Sequence, residues 1–308
     1  MPEFDVLVIG RNCLDYIAGV DKFPGEDQKV PLHVRHMEGG GQGGTASCCI
    51  ARLEGRVALV GNVGNDAEGR ICLKRLKDSG IDTTFIRVVE EARTPVAYVF
   101  VTTATGQRTI IYEQNTLPRL EFGSRLKDLV PRASVGLLDP EATHLGRQLR
   151  QLGGHRFRIV YDCERWRDGI EDMMWAADFF IPSSDFLNSG RLGLGKRPLA
   201  EKIFRLNAQI SGRLIVTHGE KGAYYIRDQK LYHVAPPEVH VVDTTGAGDN
   251  FHGAFALALA RGADLSRCVK FAVAVASLSC REYGGREGIP HSSEALAVAE
   301  GLESKRIK

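Results

Sequence analysis

Five short runs of uninterrupted apolar residues constrain this chain more than anything else in it. They are "FDVLVIG" (4–10), "RVALVG" (56–61), "FRIVYDC" (157–163), "DFFIP" (178–182) and "RLIVTH" (213–218). An apolar run without alternation belongs to a strand buried on both faces, as in a parallel sheet covered by helices. Segments of helical period lie between the runs, at 45–53, 66–79, 144–152, 199–210 and 264–280. The alternation predicts an α/β protein with three layers, α/β/α, and a mostly parallel central sheet. A chain of 308 residues suits one such domain over 1–308.

Two segments break the rhythm. "PVAYVFVTTATGQRTIIYE" (95–113) reads as two strands around a turn at Thr105-Gly106, and 16–38 carries extended pieces with no helical period. Together they predict a small β lid. In open α/β sheets ligands sit beyond the carboxyl ends of the strands, so the lid would stand over a cleft. Apolar residues on both faces of 96–100 predict burial on both sides, and the lid is a candidate homodimer surface. The closing "ESKRIK" reads as a solvated tail.

Charge excludes two classes of partner. Forty basic residues against 38 acidic ones leave a net charge of +2, with no basic tract, so neither nucleic acid nor membrane is expected. No stretch reaches the apolar length of a membrane span, and the first residues run straight into a strand. The seven cysteines show no metal spacing. They read as buried free thiols, and a cytoplasmic location is expected.

The chemistry concentrates in "DTTGAGDNFHGAFALALARG" (243–262). Gly246, Ala247 and Gly248 form a turn into an apolar helix whose first free N–H groups and dipole make an anion site. Asp249 on the same turn would repel an anion. It makes sense if it takes a proton from a nucleophile attacking that anion. An ordinary capped helix is the plain alternative.

Other phosphate motifs fit less well. GxGxxG is absent after the first run, which argues against a nicotinamide-dependent dehydrogenase. "GRLGLGKR" (190–197) has P-loop spacing, but Arg197 stands where a hydroxyl should hold magnesium and no strand precedes it, so it reads as a flexible surface loop. The third pattern, "EGGGQGGTASCC", puts five glycines within 39–44 before a helix, where backbone can approach a ligand closely.

The glycine run near 40 and "DTTGAGD" near 245 resemble the two signatures of the PfkB, or ribokinase-like, sugar kinases. The resemblance extends through Asp15, "VTHGEKGA" (216–223) and "YGGREGIP" (283–290). It implies the ribokinase-like fold and an ATP-dependent, magnesium-requiring phosphotransfer to a primary hydroxyl. Asp249 would be the base, and the amides of Gly246, Ala247 and Gly248 would stabilise the transferred group. Asp15, Gly40, Gly41, Gln42, Thr45, Lys29 and Glu141 are implied at the sugar. Thr217, Gly219, Glu220, Gly222 and Gly248 are implied at the nucleotide. Asp243 and Thr245, with groups near Arg281 and Gly284, resemble the family's monovalent-cation site, with potassium as its candidate ion.

Departures narrow the reading. The N-x-x-E motif that organises magnesium is replaced: Ser183 and Phe186 occupy its ends and Asp185 lies one position off. Thr45 stands where an Asn often contacts sugar. "GQRTIIYEQNTLP" (106–118) and the S-x-D at 183–185 look like ketohexokinases. "GGGQGGTA" (39–46), Lys29 and "YGGREGIP" look like sulfofructose kinases. Both act on ketohexoses at a terminal hydroxyl. A ribokinase or nucleoside kinase of the same fold, and a catalytically inactive sensor, are the alternatives.

Overall fold

The computed structural model describes residues 2–114 and 116–307. Asn115, within the ketohexokinase-like stretch, and Lys308, at the end of the tail, lie outside the described residues.

The first half of the chain contains β1 (Phe4–Ile9), β2 (Cys13–Val20), β3 (Val34–Gly40), α1 (Gln42–Arg52), β4 (Val57–Gly64), α2 (Ala67–Asp78) and β5 (Ile86–Val89). Next come β6 (Val96–Thr102), β7 (Arg108–Tyr112), α3 (Ser124–Leu129), β8 (Ala133–Leu138), α4 (Gly146–Gly153) and β9 (Arg158–Cys163). The rest comprises α5 (Ile170–Ala176), β10 (Phe179–Pro182), α6 (Leu199–Asn207), β11 (Arg213–Thr217), β12 (Ala223–Arg227) and β13 (Lys230–Val234), then α7 (Ala247–Ala260), α8 (Leu265–Ser279), α9 (Ser292–Gly301) and β14 (Ser304–Arg306).

Among the described residues ten strands form the main sheet, in the order β14-β13-β12-β11-β10-β9-β8-β1-β4-β5. From β11 to β5 every pairing is parallel. β12, β13 and β14 complete one side as antiparallel strands. Alternation in β1 shows how the layers form. Val6 and Val8 pack with α1, α2, α7 and α8, whereas Leu7 and Ile9 pack with α3 to α6. Buried on both faces, such a strand reads as continuously apolar. The seven cysteines are free and buried, and no described helix is long and apolar enough to cross a membrane.

The lid is a four-stranded sheet, β3-β2-β6-β7. Its inner face is capped by Tyr283, which packs on Ile17, Val99 and Val101. The outer face is not covered as expected: Tyr98 is 47% exposed and Ile111 53%.

Three other expectations need correction. The segment 303–308 is not simply a solvated tail, because Ser304–Arg306 pairs with β13 and Tyr225 bonds the Ser304 hydroxyl at 2.6 Å. The helix at 144–152 is a 3-10 turn, Pro140–Leu145, that continues into α4. The loop at 190–197 lies on the surface, but buried Leu192 and Leu194 pin it, and a 3-10 turn rather than a strand precedes it.

Candidate active site

The parallel strands bring their carboxyl ends to one rim, and the lid stands across it. Between them lies a cleft of about 400 Å³ reached by Asp15 and Ala97 of the lid, Gln42 of α1 and Gly248 and Asp249 of α7. That volume is in the range of small-molecule sites.

The floor of the cleft is the start of α7. Gly246 adopts φ +69°, a left-handed turn that suits glycine, and no side chain caps the helix. The Ala247 amide reaches the Thr244 carbonyl at 3.3 Å, whereas the amides of Gly246, Gly248 and Asp249 have no backbone acceptor among the described residues. The amides left free at this turn are therefore those of Gly246, Gly248 and Asp249, while that of Ala247 bonds within it. A Cβ on Gly248 would meet nothing within 4 Å, because that face opens on the cleft. An uncapped helix start with free amides above open space fits a phosphate group.

The turn is held from behind. Asp243 is fully buried and accepts bonds from the Thr245 amide and hydroxyl at 2.8 and 2.7 Å and from the Gly284 amide at 2.8 Å. Asn250 donates to the Gly285 carbonyl at 2.9 Å. Asp243, Thr245 and Gly284 thus come together. The backbone beside Arg281 is close as well, since the Cys280 carbonyl accepts the amides of Val242 at 2.8 Å and Asp243 at 3.2 Å, while the Arg281 guanidinium turns to Glu294 at 2.8 Å and the Leu278 carbonyl at 3.0 Å.

The glycine run also makes room for the protein's own side chains. A Cβ on Gly39 would lie 2.3 Å from Arg286 Nη1, one on Gly44 2.6 Å from Nη2, and one on Gly40 2.1 Å from the Asp15 carboxylate. The glycines let backbone approach the protein's own buried charges. Arg286 Nη2 donates to the Gly40 carbonyl at 2.9 Å. Only Gly41 and Gln42 of the run line the cleft. Thr45, expected at the sugar, is buried with its methyl directed at Gly246 and Gly285, so it supports the turn.

The remaining expected residues divide. Asp15 lines the cleft, 8% exposed, and accepts from Cys13 Sγ at 3.1 Å. Glu141 does not line it but pairs with Arg11, which does. Lys29 sits exposed in the hairpin between β2 and β3 and is not in the lining. Thr217 lines the cleft, whereas Gly219 and Glu220 belong to a 3-10 turn beyond β11 outside the lining. Gly222, at φ +81°, follows that turn, with Val234 O 2.1 Å from where its Cβ would be. Asp185 is exposed, while Ser183 reaches the cleft.

Several residues at the cleft went unread. Arg108 reaches down from β7 and bonds the Thr244 hydroxyl at 2.9 Å. Asp139 follows β8 and accepts the amides of Arg11 at 2.6 Å, Glu141 at 2.8 Å and Gly43 at 3.2 Å. Asp162 ends β9, takes a bond from Gln42 at 3.3 Å and faces His252 at 3.5 Å. Each acid lies at the carboxyl end of a main-sheet strand, the position that could have flagged it.

Asp15, Asp162 and Asp249 line the same cleft, and Asp139 is buried beside it. Desolvation in the cleft, with Asp162 adding repulsion, pushes Asp249 up to about 8. Burial also raises Asp15 and Asp139 to about 6 and lifts Asp162 well above its ordinary value. Raised folded-state values mean that each acid lowers stability as pH rises from its unfolded value to its folded one. Asp249→Asn is therefore expected to melt above the wild type, by a margin that widens from pH 4 to pH 8 and is constant beyond. Differential scanning fluorimetry across that range checks it, and a margin that narrows with pH contradicts it. The glycines give a second expectation. Gly39→Ala should lose about 1–3 kcal/mol in urea unfolding, since an added methyl meets an enclosed guanidinium, whereas Gly248→Ala should lose nothing. Equal losses would remove the distinction.

Comparison with known proteins follows the same lines. The profile described as pfkB family carbohydrate kinase matches residues 3–292. The chain is 25% identical over 293 residues to the ribokinase of Bacillus subtilis (strain 168), covering 94% of this chain and 97% of that protein. It is 29% identical over 299 residues to a nucleoside kinase of Methanothermobacter thermautotrophicus, covering 95% and 94%. The structure of Arabidopsis thaliana ribokinase complexed with ribose and ATP superposes with a TM-score of 0.80 over 97% of this chain and 99% of that one, at 24% identity. With an uncapped helix start below a β lid, and a family match over nearly its whole length, the chain belongs to the pfkB family of carbohydrate kinases.

Proposed function

We propose that this kinase transfers the γ-phosphoryl group of ATP to a primary hydroxyl of a ketohexose. The observation that carries the reading is the α7 turn, where two free amides beside Gly246 and a carboxylate of raised pKa face the same cleft as Asp15. A base is most effective when its pKa is near the working pH, and Asp249 at about 8 meets that condition. In this reading Asp249 accepts the hydroxyl proton, and the amides of Gly246, Gly248 and Asp249 stabilise charge on the transferred group. Asp15 accepts hydrogen bonds from sugar hydroxyls, and Arg108 balances phosphate charge from the lid. ATP, when bound, supplies the phosphoryl group and magnesium neutralises its charge. Asp162 and Ser183 are the cleft residues suited to hold that magnesium through water, and Thr217 borders the nucleotide. Asp243, Thr245 and Gly284 would surround a potassium ion.

The ketohexose rests on the lid stretch 106–118, while the ribokinase and nucleoside kinase relatives keep ribose and nucleosides as competitors. An anionic ketose would meet Arg11, Arg108 and Arg165, which line the cleft, rather than Lys29. The exposed outer face of the lid, with Tyr98 and Ile111, is the surface on which we place a second copy.

ADP release with D-fructose, sulfofructose, D-ribose and nucleosides tests the assignment. Fructose or its sulfonate should be used best. Preference for a nucleoside would replace the sugar reading, and no release with any acceptor would favour a sensor. Asp249→Asn should lose roughly two to four decades of turnover with ATP binding retained. Lys29→Ala should change neither ketose by more than about twofold, and selective loss of the sulfonated sugar would return Lys29 to the site.

A further inference from the structure

Behind the cleft, on strand β3 and the loop after α8, three ligand-bearing side chains converge. His36, Glu38 and Glu287 each bring one donor atom within 4.8 Å of the others. His36 Nε2 and Glu38 Oε2 are 3.7 Å apart. Two atoms bound to one metal at about 2.1 Å and tetrahedral angles lie about 3.4 Å apart, so this pair is nearly at ligand spacing. Glu287 is exposed and free to close the remaining distance.

Glu38 is the independent observation. It is 2% exposed, and its Oε1 is engaged by the Gly285 amide. Its Oε2 is buried without a hydrogen-bond partner, as is His36 Nε2 beside it. A buried carboxylate oxygen with no hydrogen-bond donor is costly, and here its neighbour is an imidazole nitrogen 3.7 Å away, an ion pair too long for a hydrogen bond. A cation between them would satisfy both atoms.

We propose that His36, Glu38 and Glu287 form a binding site for a divalent transition-metal ion, one that clasps lid strand β3 to the 281–290 loop. One imidazole nitrogen and two carboxylates suit zinc, manganese or cobalt, whereas magnesium prefers oxygen ligands and keeps its water. The site is separate from the nucleotide's magnesium and does not depend on the catalytic reading. Its position gives it an effect on the cleft. Glu38 is the cross-strand partner of Asp15, and Gly285 stacks against Gly246, whose Cβ position lies 2.6 Å from the Gly285 Cα. An ion held by Glu38 would cancel a charge beside Asp15 and stiffen the support of the α7 turn.

The test uses the full chain, stripped with a chelator and free of nucleotide and sugar. Zinc is titrated against a chromophoric chelator, and melting is followed in parallel. One equivalent should bind and raise the melting temperature, and a hundredfold excess of magnesium should not displace it. His36→Ala and Glu287→Gln should each weaken zinc binding at least tenfold, and at exposed Glu287 the metal-free melting temperature should stay at the wild-type value. Absence of saturable binding, binding unchanged in both variants, or ready displacement by magnesium would each overturn the proposal. Glu38→Gln should likewise lose the ion, and because it can also unfold the protein the exposed Glu287→Gln variant decides the matter.

Discussion

The arrangement depends on one buried polar knot, the loop 283–286. Gly284 gives its amide to Asp243, Gly285 gives its amide to Glu38 and its carbonyl to Asn250, and Arg286 reaches under Gly39, Gly40 and Gly44. Tyr283 fills the inner face of the lid. One four-residue segment therefore joins the lid, the glycine-rich turn and the start of α7. Apolar packing alone leaves such elements free to slide. Hydrogen bonds to buried groups do not, because an unmade bond leaves a desolvated atom. The orientation of the free amides at Gly248 and Asp249 follows from that knot more than from any propensity of α7.

The framework was legible because a strand buried on both faces has a signature within its own residues. All five apolar runs became strands, and the lid emerged from the two segments that broke the rhythm. Strand β8 was missed because Ser134 and Gly136 interrupt its apolar run, Gly136 standing where Phe157 packs too closely for a side chain. The antiparallel strands β12 to β14 were missed because half-exposed strands carry weaker patterns.

At the site, the turn at 246–249 could be read because its chemistry is local. The role of the glycine run could not. Nothing in "GGGQGG" says that its neighbour is an arginine nearly 250 positions later, and a glycine making room for a ligand looks the same as one making room for a guanidinium. The packing of Thr45 against Gly246 and Gly285 was hidden for the same reason, as was the pairing of the Arg281 side chain with Glu294, a partner with no sequence mark. Asp139 and Asp162 lie at the carboxyl ends of strands, and their convergence is a product of strand order.

The separation between Arg286 and the turn it supports has a consequence for how the molecule is made. Asp15, Glu38 and the glycine run are synthesised early, yet the guanidinium that fills the space beneath them bonds Gly40 across 246 positions of sequence. Closing so long a loop is slow and waits on the chain itself. Until residue 286 has left the ribosome, the first lid strands hold two carboxylates side by side over a hollow with no cation in it. During synthesis, then, the earliest-made part of this kinase cannot complete its native packing until the chain has been made through residue 286.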